Sequence, residues 1–208
     1  MRVIAIGLGL LVGCSSSSSS PGTSYASVRD RLANPTPLSI AATPDAGAIG
    51  AEHYASGAWL AGTEPVSITD GALVASLDGS GALVASTFDL AFAPIAIPDG
   101  VFDEPAQLTG VRVALAAPAT APIAWADPDD ATATLSVALT LSWSLDIGGA
   151  VTPLAAQALP PLALDVALDG TGDAVATELA LHGTGALWSW ADLLKLTSLY
   201  IEADGATD

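Results

Sequence analysis

The 208-residue chain holds one cysteine, five lysines and arginines, and aromatic side chains at only 5% of its positions. A lone cysteine, Cys14, leaves no intrachain disulfide to staple the fold and no Cys-based metal spacing. Five basic residues against 22 acidic ones give a net charge of −17. That balance excludes the basic footprint of a nucleic-acid binder and electrostatic docking on anionic lipid; it suits solubility. Hydrophobic residues make up 51% of the chain, much of it alanine. After the first dozen residues no run approaches the roughly 20 apolar residues that a spanning helix needs. The aromatics are also too few for the two girdles of a transmembrane barrel. The length suits one domain of moderate size.

Motifs of known chemistry are missing as well. There is no G-x-S-x-G, no H-E-x-x-H, no C-x-x-C and no G-x-x-x-x-G-K. The two histidines, His53 and His182, have no nucleophile and orienting group in recognisable spacing, and both read as loop or surface residues. Asp127, Asp129 and Asp130 cluster in one segment, and Asp169 and Asp173 flank another. Neither has the spacing of a calcium loop, and Pro128 stiffens the first. "DGSG" and "DGTG" separate Asp from the hydroxyl residue by a glycine, so they are turns and not the D-[ST]-G of aspartic proteases. The reading is a non-enzyme with no cofactor and no metal site.

What is present begins at the N-terminus. "MRVIAIGLGLLVGC" runs from basic Arg2 through an apolar stretch to Gly13 and Cys14, the order of a secretory signal peptide. Its last four residues, Leu11-Val12-Gly13-Cys14, resemble the lipobox of bacterial lipoproteins. The resemblance covers this segment alone. It implies diacylglycerol on the Cys14 thiol, cleavage before Cys14, acylation of the freed amine, and stable membrane anchoring. Ser15, where the family's inner-membrane retention signal would place Asp, implies an outer-membrane lipoprotein of the cell envelope. The tract "SSSSSSPGTS" reads as a flexible tether. The expected organisation is a signal peptide over 1–13, lipidated Cys14 and tether over 14–36, and a single β domain over 37–208. Val28 and Leu32 form a weak helical pair behind a candidate N-cap at Ser24, ended by Pro35 and Pro37.

Farther on, period two dominates. "ATATLSVALTLSWSLDI", 131–147, places Ala131 through Ile147 on one apolar face and mainly Thr and Ser on the other. Seventeen extended residues would span on the order of 55 Å, far beyond the usual strand, so the sheet must be bent or strongly coiled. Further strands are expected over 65–69, 72–77, 82–93, 108–115, 162–168, 175–181 and 196–203. Asp70-Gly71, Asp78-Gly79 and Asp169-Gly170 read as turns with glycine at positive φ. "GALVAS" recurs at 71–76 and 81–86, and "LDGSGALVAS" at 77–86 resembles "LDGTGDAVAT" at 168–177. Ser189-Trp190-Ala191-Asp192 has the form of a capping box, and Leu187, Trp190 and Leu194 form one stripe, which predicts a short C-terminal helix.

The expected fold is all-β: an antiparallel β-sandwich, small barrel or half-barrel with long coiled strands and that one helix. The expected role is a lipid-anchored envelope protein, structural or protein-interacting, with an envelope protein as partner. The alternative is a carrier of an apolar ligand in a β-cavity, with Trp188 and Trp190 as its lid. Packed Leu and Val layers would favour the first; an apolar cavity under the tryptophans would favour the second.

Overall fold

The computed structural model describes residues 25–43 and 46–207. Cys14, the serine tract and Ser24 lie outside the described residues. Among the described residues one helix, α1 (Val28–Leu32), precedes fifteen strands. These are β1 (Leu38–Ala42), β2 (Ala46–Ala55), β3 (Ala58–Leu77), β4 (Leu83–Phe92) and β5 (Ile95–Ile97). Next come β6 (Ala106–Leu115), β7 (Ala119–Ala121), β8 (Ala124–Trp125), β9 (Asp130–Val137) and β10 (Leu139–Ile147). The last are β11 (Ala150–Pro153), β12 (Gln157–Ala158), β13 (Leu162–Thr171), β14 (Ala174–Trp190) and β15 (Leu194–Ala206).

Register reduces the fifteen to eight staves. β1 and β2 both lie between β15 and β3, as two halves of one stave. β3 is the second and β4 with β5 the third, since β4 and β5 pair with β6 at successive positions. β6, β7 and β8 form the fourth. The stretch read from sequence as one long strand is the fifth, β9 and β10 separated only by Ala138. On its one side run β11, β12 and β13; on the other run β6 and β8. β14 and β15 complete the set, and β15 pairs back onto β1 and β2. Every stave is antiparallel to its neighbours. The sheet closes on itself as an eight-stranded up-and-down barrel.

Closure explains the long alternating stretch. Around a barrel, each strand shows one face to the interior along its whole length. Leu135, Val137 and Leu139 are fully buried, and Leu141, Trp143 and Leu145 nearly so. Thr132, Thr134 and Ser136 between them are exposed, and Ser142 and Ser144 half-exposed. The same holds on neighbouring staves, where Leu164, Leu168 and Leu181 point inward and Asp165, Glu178 and Glu202 outward. A membrane-spanning barrel has the opposite facing, apolar outside. This wall turns its carboxylates and hydroxyls to the surroundings.

One end of the barrel is closed by α1. Ser27 is its N-cap and accepts from the Asp30 N–H at 3.2 Å; the cap expected at Ser24 is displaced by one turn. Val28 and Leu32 are fully buried against the barrel interior. The Val28 N–H donates to Asp129 Oδ1 at 3.1 Å, and Arg31 donates to the carbonyls of Gly172 and Asp173. A Cβ on Gly170 would stand 2.9 Å from both Asp129 Oδ1 and a Val28 methyl. Glycine there is what lets the helix approach. The folded body therefore starts ahead of the 36/37 boundary expected from composition.

Three local expectations are corrected. The C-terminal helix does not form: residues 174–190 and 194–206 are strands joined by a tight turn. Ala191 and Asp192 have φ of 49° and 53°, and the Leu193 N–H donates to the Trp190 carbonyl at 2.9 Å, the geometry of a type I′ hairpin turn. Asp70-Gly71 lies inside β3 beside a bulge, and Asp169-Gly170 inside β13. The positive φ expected at Gly79 and Gly170 falls two residues later in each, at Gly81 and Gly172. The two similar decapeptides do both form hairpins, β3–β4 and β13–β14.

Candidate functional site

Packing is uneven along the barrel axis. Toward the α1 end the interior is filled, with Leu73, Leu83, Leu135 and Leu164 among side chains that have no exposure. Toward the other end lies a cavity of about 100 Å³, lined almost wholly by apolar groups. Leu141 and Trp143 of β10 form part of its wall, faced by Val111 and Val113 of β6, Val66 of β3 and Leu199 of β15. Partly exposed Glu52, His53, Glu64 and Lys195 supply its polar border.

The tryptophans gather here because the hairpin that replaces the expected helix keeps period two. In "WSW", Trp188 and Trp190 share a face two residues apart while Ser189 is exposed. Trp188 lines the cavity and packs edge-on against Trp143, ring centroids 4.6 Å apart at 86°. Trp190 is placed differently from the lid role expected of it. It packs against Trp143 and against Phe102 of the β5–β6 connection, at 6.1 and 6.2 Å, away from the cavity wall. With Ile97, Leu145 and Leu194 it belongs to a smaller apolar cluster at the barrel end. The β14–β15 register is bulged on β14 between Thr184 and Trp188, and the β10–β6 register is bulged on β6, opposite Trp143. Sequence reading found Trp188 by residue type. It missed Trp143 as a site residue, although the alternation placed it on the inward face.

Two indole nitrogens here have no partner. Trp143 Nε1 and Trp188 Nε1 are buried without a hydrogen-bond acceptor among the described residues. Indole N–H is a donor only and usually finds an acceptor when buried. At the border, Lys195 Nζ lies 3.7 Å from Glu52 Oε2 and 3.6 Å from the centre of the Trp59 ring. Among the described residues, the one lysine or arginine at the cavity border is thus already engaged by a carboxylate and an aromatic face.

Comparisons with known proteins leave the chain unplaced. No protein family profile matches it, and none of the curated proteins does. Among solved structures it is similar to two crystal structures of Ail, the attachment invasion locus protein of Yersinia pestis, one in complex with the heparin analogue sucrose octasulfate. Both are 8% identical and cover 81% of this chain and 99% of that one, with TM-scores of 0.33 and 0.32. Superposition this loose assigns no family and no function.

The structure places the remaining candidates of the sequence reading apart from one another. His53 borders the cavity on β2, opposite Leu194. His182 stands on the outer wall, Nε2 2.8 Å from Asp165 Oδ2, and Thr134 Oγ1 donates to Asp165 Oδ1 at 2.5 Å. The carboxylate lies between hydroxyl and imidazole, so the imidazole is not placed to take the hydroxyl proton. The Thr134 hydrogen bond, then that of His182, lowers the Asp165 pKa below its ordinary 3.8. Asp127 Oδ1 accepts the N–H groups of Asp129 and Asp130, a turn-making role. Among the described residues no group of three His, Cys, Asp or Glu is arranged to hold a metal ion.

Proposed function

We propose that this protein is a membrane-tethered envelope barrel that binds a small apolar ligand in the cavity beside Trp143 and Trp188. The cavity is the observation that carries the reading. Protein interiors hold few voids larger than a water, and at about 24 cal/mol per Å³ a void of about 100 Å³ costs on the order of 2.4 kcal/mol of stability. An apolar cavity of about 150 Å³ stays dry and takes up benzene. This one suits a small apolar body or one end of a longer molecule, not a whole drug-sized ligand, which needs about 300 Å³ or more.

Anchoring is the second part of the proposal, and the lipobox-like segment ending at Cys14 supports it. Cys14→Ser should leave an unacylated precursor that no longer partitions into detergent; equal partitioning of the two forms refutes the anchor. The ligand half is tested on the full chain with cyclopentane delivered through the vapour phase, following tryptophan fluorescence. A saturable change in the emission supports it, and a featureless response refutes it. A protein-interaction role has its own observation in the β2–β3 hairpin, whose tip exposes Tyr54, Trp59 and Leu60. Exposed aromatics are enriched at interfaces. If Trp59→Ser and Leu60→Ser together leave crosslinking to envelope proteins unchanged, that second reading falls.

A further inference from the structure

We propose that the half of β3 nearest the hairpin tip is a docking edge, to which an extended peptide of a partner protein adds as one more strand. The proposal rests on the protein-interaction reading of the β2–β3 hairpin and is independent of what the cavity holds. Ser56 and Gly57 form a two-residue turn with both φ positive, and such a turn is closed by a hydrogen-bonded pair, here Ala55 and Ala58. Bonded and non-bonded pairs alternate from there. Leu60, Gly62, Glu64 and Val66 therefore exchange bonds with β2, while Trp59, Ala61, Thr63 and Pro65 turn their backbone groups away from it. Ser67 continues that second series and accepts from the Ala93 N–H at 2.9 Å, which places the series on the β4 side. The β3–β4 ladder ends at Ile68 and Phe92, and the next strand, β5, pairs with β6. Among the described residues no backbone group bonds to β3 on that side from Trp59 to Pro65.

Sheet edges are commonly shielded by charge, bulges or proline. Here Trp59 to Thr63 carries no charge and no proline, and residues 58–63 are exposed throughout. Pro65 stands in the outward series, where an edge strand tolerates it, and ends the run of free donors. Leu60 shares the inward face of the buried Val66 and Ile68 yet is 48% exposed, so that face is also uncovered near the tip. A Cβ on Gly62 would meet only Glu64 Oε1 among the described residues, at 3.7 Å, which leaves an open notch on the same face. These features define the occupant. Main-chain bonds give such an edge its affinity, and alternate side chains give it selectivity. The partner residue facing Gly62 has room for a large apolar side chain, and the one facing Leu60 is apolar as well. The residue facing Glu64 is a lysine or arginine. Glu64 has no ion-pair partner among the described residues, and a chain of net charge −17 favours a basic partner over a second copy of itself.

Antiparallel to β3, that pattern is met by Lys-Thr-Phe-Thr-Val-Thr, its lysine facing Glu64 and its last threonine facing Trp59. The full chain, labelled with 15N, is titrated with this hexapeptide, acetylated and amidated at its ends. In the free protein amide exchange should alternate, slow at Leu60 and Gly62 and fast at Ala61 and Thr63. Saturation with the peptide should slow Ala61 and Thr63 by about 10-fold. N-methylation of the second threonine, whose N–H meets the Ala61 carbonyl, should lower the affinity about 10-fold. N-methylation of the phenylalanine, whose N–H points away from β3, should change it less than about 2-fold. Glutamate in place of the lysine should lower it about 5-fold, and by less as salt rises. Ala61→Pro, in the register where the strand already holds Pro65, should abolish binding with the circular dichroism of the barrel retained. Equal effects of the two N-methyl groups overturn strand addition and leave a side-chain contact standing. Slow exchange of Ala61 and Thr63 in the free protein overturns the free edge, and a dimer that Ala61→Pro dissociates overturns the choice of partner. Failure of every peptide to bind overturns the inference, while crosslinking judges the interaction reading by itself. If Ala61→Pro does not fold, the two N-methyl peptides on the wild-type chain decide.

Discussion

Consider the same substitution, valine to leucine, made at the two ends of this barrel. Val113 on β6 and Val66 on β3 are each 3% exposed and border the cavity. Val166 on β13 is 2% exposed in the filled half, flanked inside by Leu164 and Leu168. An added methylene that finds room is worth about 0.8 kcal/mol. Val113→Leu with Val66→Leu should therefore stabilise by about 1.5 kcal/mol, within the ceiling of about 2.4 kcal/mol set by filling the whole space. At this chain length that raises Tm by roughly 3–6 °C. Val166→Leu has no space to enter and should destabilise by about 1–3 kcal/mol. Urea unfolding reads all three through the midpoint, with an unchanged slope showing that the exposed surface is the same. The filled variant should also lose affinity for cyclopentane, so stability and binding move in opposite directions. Destabilisation at both ends would refute a usable cavity, and stabilisation at both would refute the uneven packing.

Thr177 is 3% exposed with its hydroxyl unpaired among the described residues, so Thr177→Val should stabilise by about 1–3 kcal/mol in the same urea assay. The turn at Ala191-Asp192 has both central residues at positive φ, which Asn-Gly adopts most readily. Ala191→Asn with Asp192→Gly should raise stability by about 1 kcal/mol, whereas a helix at that place would lose a similar amount; the sign of the midpoint shift decides. Asp165 has a lowered pKa, chiefly from Thr134 and then His182. Its contribution to stability is complete above the unfolded value near 3.8 and is lost as the pH falls toward the lower folded value. Asp165→Asn should therefore flatten the acid limb of stability below about pH 4 and leave it parallel to wild type near pH 7.

The class of fold was legible because alternation is a local property: each strand's inward and outward residues are fixed by its own text. Closure was not, since the pairing of Ala41 with Ala206 and of Leu194 with His53 joins the two ends of the chain and leaves no mark in either. The segment at 187–194 misled because its Leu and Trp spacing fits a period of 3.6 as well as it fits "WSW" at period two. Tertiary pairing with β15 settled the choice. The glycine turns were displaced by two residues because Asp-Gly signals a reversal nearby, while strand length set by the barrel fixes where it falls. Residue type pointed to Trp188, but Trp143 became a site residue only once the ring brought β10 and β14 to facing positions.

A ring of this kind also dictates an order of events in its making. β1 and β2 are synthesised first and wait unpaired on one side until β15, the final strand, arrives. Joining such distant segments is entropically slow. A chain delivered across a membrane in extended form would therefore complete its fold only after residues 194–206 have emerged. A product truncated before Leu194 would present two long open strands, β14 on one side and β1–β2 on the other, each ready to pair with another copy. The C-terminal hairpin is thus the latch of the barrel and its safeguard against self-association.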